Sequence, residues 1–267
     1  KTLCAAALAT VLGWTGAARA DDGVIRIGFI TDMSGLSADA DGPGGAEAIK
    51  MAVADLGGAV AGKKVEVLVA DHQNRADIAS SRAREWLDQK GVNMLIAGAN
   101  SAAALAMAKV AEEKKTPFFV VSAGASELTN TQCTPYTVHY AYDTVSLARG
   151  TARAMLKEGN KDWFFLTVDH AFGQALERDA STVVQAEGGT VKGRVRHPLN
   201  TADFSSFILQ AQASGASVLG LANSASDTSN AVKAAAEFGL TPRMKIAGLL
   251  VLITDIHALL GADPDLT

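Results

Sequence analysis

The chain has 267 residues, 48% of them apolar, and 24 basic side chains stand against 28 acidic ones for a formal net charge of −4. An acidic chain without basic runs excludes a nucleic-acid binder, whose affinity rests on neutralising phosphates with Lys and Arg. Two cysteines also exclude a disulfide scaffold, so the core must hold by packing.

In chain order, Lys1 precedes an uncharged apolar stretch over residues 2–17 that closes on Ala18-Arg19-Ala20. This is the layout of a secretory signal peptide, expected to be cleaved after Ala20. The stretch is too short and too weakly apolar for a membrane span, and Cys4 opens it rather than ending it, which argues against a lipid anchor. Cleavage removes Lys1 and Arg19, leaving 22 basic and 28 acidic residues for a net charge of −6, and Cys133 as the single thiol.

From Val24 onward, β-branched apolar runs alternate with longer segments of helical period. Strands are predicted over residues 24–30, 64–70, 92–97, 118–122, 163–168, 191–196, 218–222 and 245–249. Helices are predicted over residues 44–56, 76–89, 101–114, 143–157, 172–187, 203–213, 227–238 and 254–260. Continuous apolar strands, each followed by a helix, specify an α/β fold with parallel sheets flanked by helices. Asn100 and Ser101 stand where a helix cap belongs, as does Asp203, and Gly159 and Gly239 stand just past two helix ends. The rhythm breaks once, between Ser122 and Asp143, where a polar stretch containing Pro135 is expected to cross between two lobes of about four strands each.

Several chemistries are absent from the sequence. No G-x-S-x-G elbow, Walker loop, C-x-x-C or H-E-x-x-H occurs. Gly42, Gly44 and Gly45 follow the first strand without completing a dinucleotide fingerprint and are read as turn residues. His72, His139, His170, His197 and His257 stand singly, without metal-ligand spacing. No catalytic residue, metal or cofactor is therefore expected.

The sequence nevertheless carries an ordered set of motifs. They are Ile27-Gly28-Phe29-Ile30-Thr31-Asp32-Met33-Ser34-Gly35, Gly45-Ala46-Glu47, Ile96-Ala97-Gly98-Ala99-Asn100-Ser101, Val121-Ser122-Ala123-Gly124-Ala125-Ser126 and Asp169-His170-Ala171-Phe172-Gly173, completed by Asp203-Phe204-Ser205-Ser206 and Ala247-Gly248. Together they resemble the type I periplasmic binding proteins of the branched-chain amino acid transport class. The resemblance implies a two-lobed receptor, with a first lobe over residues 21–141, a second over 142–249 and the start of a return to the first over 250–267. It further implies that family members continue beyond the point where Thr267 stands.

The resemblance also implies the site. Ser101, Gly124, Ala125 and Ser126 match positions that hold a ligand carboxylate through hydroxyls and amides. The alternative role of Ser101 and Ser126 as helix caps is compatible with that one. Phe172 matches an aromatic that packs on the ligand from the second lobe, although a Phe at a helix start is equally a core residue, and His170 lies in the same loop. Asn223 and Leu250 follow the later strands. Amino-acid-binding relatives place an acidic residue near Leu250 to meet the α-ammonium, whereas here Gly248-Leu249-Leu250-Val251-Leu252 carries no charge. A buried ammonium without a partner costs several kcal/mol. The expected ligand is a small carboxylate without an α-amine. The runs Tyr136-Thr137-Val138-His139-Tyr140, Trp163-Phe164-Phe165-Leu166 and His197-Pro198-Leu199-Asn200-Thr201 resemble the subgroup linked with aromatic acids and other organic carboxylates, and that resemblance puts an aromatic acid foremost. Asp227 is the residue that could still rescue an amine, although its place at a helix start fits a cap. The expected role is receptor of an ABC importer, with the transporter permease as partner and no membrane insertion after signal cleavage. The alternatives are a branched-chain amino acid or amide receptor, or a ligand-sensing module.

Overall fold

The computed structural model describes residues 23–260, so the expected signal peptide at residues 1–20 lies outside the described residues. The first sheet contains β1 (Val24–Thr31), β2 (Ala59–Val60), β3 (Lys63–Asp71), β4 (Met94–Ala97), β5 (Phe118–Val120) and β6 (Thr137–His139). Their order across the sheet is β2-β3-β1-β4-β5-β6, parallel throughout except for the β2–β3 hairpin. The second sheet is wholly parallel, with β7 (Asp162–Val168), β8 (Thr190–His197), β9 (Val218–Ala222) and β10 (Lys245–Gly248) in the order β10-β9-β7-β8.

Around the first sheet run α1 (Ala38–Asp41), α2 (Pro43–Asp55), α3 (Ala76–Glu85) and α4 (Ser101–Lys114); α3 continues into a π turn at Trp86–Lys90. The second is wrapped by α5 (Thr144–Lys157), α6 (Ala171–Ala186), α7 (Ser205–Ala213), α8 (Ser226–Glu237) and α9 (Ile253–Leu260). The chain is thus a two-lobed α/β protein. Its largest core clusters lie where α3 and α4 cover the first sheet and on the two faces of the second, whose strand β9 is buried along its whole length. Burial on both faces is why these strands read as unbroken apolar runs.

The strand orders fix the site. In the first sheet the chain runs outward in one direction from β1 to β3 and in the other from β4, so the order reverses between β1 and β4. In the second it reverses between β7 and β9. At such switch points the loops leaving the carboxyl ends of neighbouring strands diverge and leave a crevice.

The polar stretch expected to cross between lobes is corrected here. It contains a 3₁₀ turn, Ser126–Leu128, and β6, which pairs in parallel with β5, so the first sheet has six strands rather than about four. The passage between the sheets narrows to residues 140–143. Asp143 then starts α5 with a reciprocal cap in which its side chain accepts from the Ser146 N–H. Gly159 and Gly239 adopt the left-handed conformation at helix ends, as expected.

Candidate functional site

Beneath the β1/β4 switch point, buried polar side chains hold the loops in place. The Asp32 carboxylate accepts from the N–H groups of Gly35 (2.8 Å) and Ser37 (2.9 Å), which shapes the Ser34–Gly35 loop, and from Asn74 Nδ2 at 2.5 Å. Asn74 Oδ1 in turn accepts from Asn100 Nδ2 at 3.0 Å, and Asn100 Oδ1 caps α4 through the Ala103 N–H at 2.9 Å. His72 Nδ1 accepts from the Asn74 N–H at 3.1 Å, so Nε2 carries the proton and donates to the Ala99 carbonyl at 3.1 Å. Burial pushes the His72 pKa below its usual value and keeps the ring neutral.

Asp41 supports the same loop from behind. Its carboxylate accepts from the Thr31 hydroxyl at 2.9 Å and the Ala99 N–H at 2.6 Å. Burial raises its pKa, opposed by hydrogen bonds from Thr31, Ser122 and Ala99. Gly98 is required beside it, because a Cβ there would lie 2.2 Å from Thr31 Oγ1 and 2.5 Å from Asp41 Oδ2.

These supports present the head of α4 to the crevice. The first amides of a helix have no acceptor within it and carry partial positive charge. Ser101 Oγ accepts from the Ala125 N–H at 3.1 Å, which ties the loops after β4 and β5 together and leaves the Ser101 hydroxyl proton available as a donor. Gly124, in the second of those loops, sits between two rings: a Cβ there would lie 3.0 Å from Tyr142 Cε2 and 3.1 Å from Phe172 Cε2. Tyr142 stands in the passage between lobes, its pKa raised by burial and opposed by a hydrogen bond with Ser122. From the β7/β9 switch point come His170, Phe172 and Ser224. Burial, and then the nearby His72, lower the His170 pKa.

The resulting interlobe cleft holds about 480 Å³ of empty space, part of it open to solvent. Ser101, Gly124, His170, Phe172 and Leu250 line it, whereas Ala125, Ser126 and Asn223 do not. Asn223 is held inside the second lobe, its Nδ2 donating to His197 Nε2 at 3.1 Å and its Oδ1 accepting from Thr228 at 2.9 Å; its neighbour Ser224 reaches the cleft instead. The lining also includes Asn74, Asn100, Ser122 and Tyr142, which were not expected as contacts. Asn74 and Gln73 have positive φ angles of 55° and 52°, a backbone signature invisible in the bare sequence.

Among the described residues, no Lys, Arg, Asp or Glu lines this cleft. The expectation that Asp227 caps its own helix is corrected: it is the second residue of α8, and its carboxylate accepts instead from the N–H groups of Asn200 (3.2 Å) and Thr201 (2.9 Å). Burial pushes its pKa up to about 6. Asp255 accepts from the Leu252 N–H at 2.8 Å and lines a separate depression with Lys233. Among the described residues no group of three or more His, Cys, Asp or Glu side chains is placed to hold a metal, and no helix is long and apolar enough to cross a membrane.

Residues 24–265 match the family described as periplasmic binding protein. A periplasmic binding protein from Burkholderia mallei, known from its crystal structure, is 63% identical with a TM-score of 0.88, over 89% of this chain and 63% of that one. A solute-binding protein of an ABC transporter from Rhodopseudomonas palustris, solved in complex with 3,4-dihydroxybenzoic acid, is 28% identical with a TM-score of 0.75, over 84% of this chain and 61% of that one. The Leu/Ile/Val-binding protein homolog 6 of Brucella abortus is 29% identical over 218 residues, which is 81% of this chain and 54% of the relative. The chain therefore spans less than two thirds of the length of each of these relatives.

Proposed function

The chain belongs to the periplasmic binding protein family, and from that premise we propose that it acts as the substrate-binding receptor of a bacterial ABC importer, capturing a small carboxylate, with an aromatic acid foremost. The observation that carries this reading is the chemistry of the cleft: hydroxyls and a helix head on one side, two aromatic rings about Gly124, and no Lys, Arg, Asp or Glu among the described residues of the lining.

In this mechanism the first lobe receives the carboxylate. The unpaired amides at the head of α4 and the Ser101 hydroxyl donate to its oxygens, stabilising negative charge without a cation. The ring of the ligand then lies against Tyr142 and Phe172, and a hinge motion brings the second lobe over the apolar remainder. The closed form is what the membrane permease recognises. No covalent step takes part, and the protein works in the periplasm after loss of its signal peptide.

The ligand's nitrogen is the discriminating feature. An α-ammonium closed into this cleft would meet no carboxylate among the described residues, because Asp41, Asp227 and Asp255 stand outside the lining and accept from other groups: Asp41 from the Thr31 hydroxyl and the Ala99 N–H, Asp227 from the Asn200 and Thr201 N–H groups, and Asp255 from the Leu252 N–H. The R. palustris relative, solved with a dihydroxybenzoic acid, supports the aromatic choice. A thermal-shift screen of the full-length protein against aromatic acids, aliphatic carboxylates, short amides and branched-chain amino acids tests the reading, since a ligand of the native state raises the melting temperature. Stabilisation by amino acids alone would return the protein to amino-acid uptake.

A further inference from the structure

Ser126 has a use other than touching the ligand. Its hydroxyl donates to Asp179 Oδ2 at 2.9 Å and accepts from Arg178 Nη2 at 3.0 Å. A serine hydroxyl has one proton, so this one has none left for a carboxylate. Asp179 Oδ2 also accepts from the Thr144 hydroxyl at 2.5 Å, and Thr144 Oγ1 in turn accepts from the Ser126 N–H at 3.1 Å. Arg178 Nε donates to Asp179 Oδ1 at 3.0 Å, and its Nη1 pairs with Glu127. The Thr144 N–H donates to the Gly124 carbonyl at 2.8 Å.

Three elements meet in this cluster. Ser126 and Glu127 belong to the first lobe, Thr144 is the first helical residue after the passage between lobes, and Arg178 and Asp179 lie on α6 of the second lobe. Ser126 and Thr144 are fully enclosed, and the Asp179 side chain is only 13% exposed. Charge-assisted hydrogen bonds in such an enclosure are strong, and they act as a unit. The same loop, two residues earlier, carries Gly124 between the cleft rings, and Ala125 anchors Ser101.

We propose that the Arg178–Asp179 pair, gripping the Ser126 turn and Thr144, is the pin about which the lobes pivot, and that it positions the ligand-facing Gly124 loop. This inference rests on the reading of the protein as a receptor that closes on its ligand. Arg178 and Asp179 are positioning residues that act through the loop and never touch the ligand. Loosening the pin lowers the population of the binding-competent geometry, so affinity falls by one common factor for every ligand.

The test uses the full-length protein with Asp179→Asn, Arg178→Met and Ser126→Ala, and Ser101→Ala as comparator. Without ligand, the first two variants should exchange the amides of residues 124–126 faster and show a larger radius of gyration by small-angle scattering. With benzoate and benzamide as probes, they should weaken both by the same factor, about tenfold. Ser126→Ala should behave likewise, whereas Ser101→Ala should weaken benzoate more than benzamide. In the Ser126→Ala/Asp179→Asn double variant the loss should be smaller than the product of the single losses. Folded variants with unchanged exchange and scattering would overturn the proposal, as would a benzoate-selective loss in Ser126→Ala. Exchange and scattering are read without ligand, so failure of both probes to bind would count against the ligand assignment and leave the pin to be judged on its own. Arg178 is half exposed, so its variant keeps the test open if Asp179→Asn fails to fold.

Discussion

Gly124→Ala adds one methyl group at the point where both lobes approach the ligand. Gly124 does not use the left-handed backbone region, so alanine can adopt the same main-chain conformation. The new Cβ would stand 3.0 Å from a Tyr142 ring carbon and 3.1 Å from a Phe172 ring carbon, a few tenths of an ångström inside ordinary contact on both sides. Overpacking of this kind costs about 1–2 kcal/mol. Phe172 rides on the second lobe, so opening the cleft relieves the contact and the cost falls on the closed, liganded form. Affinity for an aromatic acid should therefore drop about 5- to 30-fold, measured by isothermal titration, while the melting temperature of the free protein changes little. Unchanged affinity would show that the rings do not bracket the ligand. A large loss of stability with affinity intact would show that they are core residues instead.

Other predictions follow from the same geometry. Ser101→Ala removes a donor to the ligand and leaves the buried Ala125 N–H without its acceptor; titration should show carboxylate binding weakened about tenfold, and denaturation a stability loss of about 1–2 kcal/mol. Asp227 has a folded pKa of about 6 against 3.8 for the unbound group, so the folded state holds its proton more tightly. That contribution is fully present below about pH 4 and is lost as pH rises through 6, for at most roughly 3 kcal/mol. Asp227→Asn should accordingly gain stability at pH 7 relative to the parent in urea titrations, and a loss there would refute the linkage. His72 and His197 act in the opposite sense: burial lowers their pKa values, so their neutral forms stabilise the fold above pH 6.5 and that stability is lost on acidification. With Asp227 removed, the melting temperature should fall more steeply between pH 7 and 5.5 than in the parent.

The sequence displayed the framework wherever burial made the pattern continuous. The ends predicted for β9 and α4 coincide with the observed ones, because one is an unbroken apolar run and the other is capped by Asn100 ahead of Ser101. β6 escaped notice because it is a three-residue edge strand with an exposed Val138, and the β2–β3 hairpin because β2 has two residues. The motifs brought Ser101, Gly124, His170, Phe172 and Leu250 to one cleft, since the ends of parallel strands converge at switch points. They could not give the direction of the Ser126 side chain, which is set by Arg178 and Asp179 more than fifty residues away, nor that of Asn223, set by His197 and Thr228. Tyr142 carried no motif at all; its place depends on where the passage between lobes runs.

The central claim, that the cleft takes a carboxylate without an α-ammonium, is tested most directly by titrating the full-length protein with 3-phenylpropanoate and with phenylalanine, which share ring, chain and carboxylate and differ by the ammonium group. With no carboxylate among the described residues of the lining, closing the lobes on phenylalanine leaves its charge unpaired, and the account predicts binding weaker by about a hundredfold or more. Equal or tighter binding of phenylalanine would contradict it.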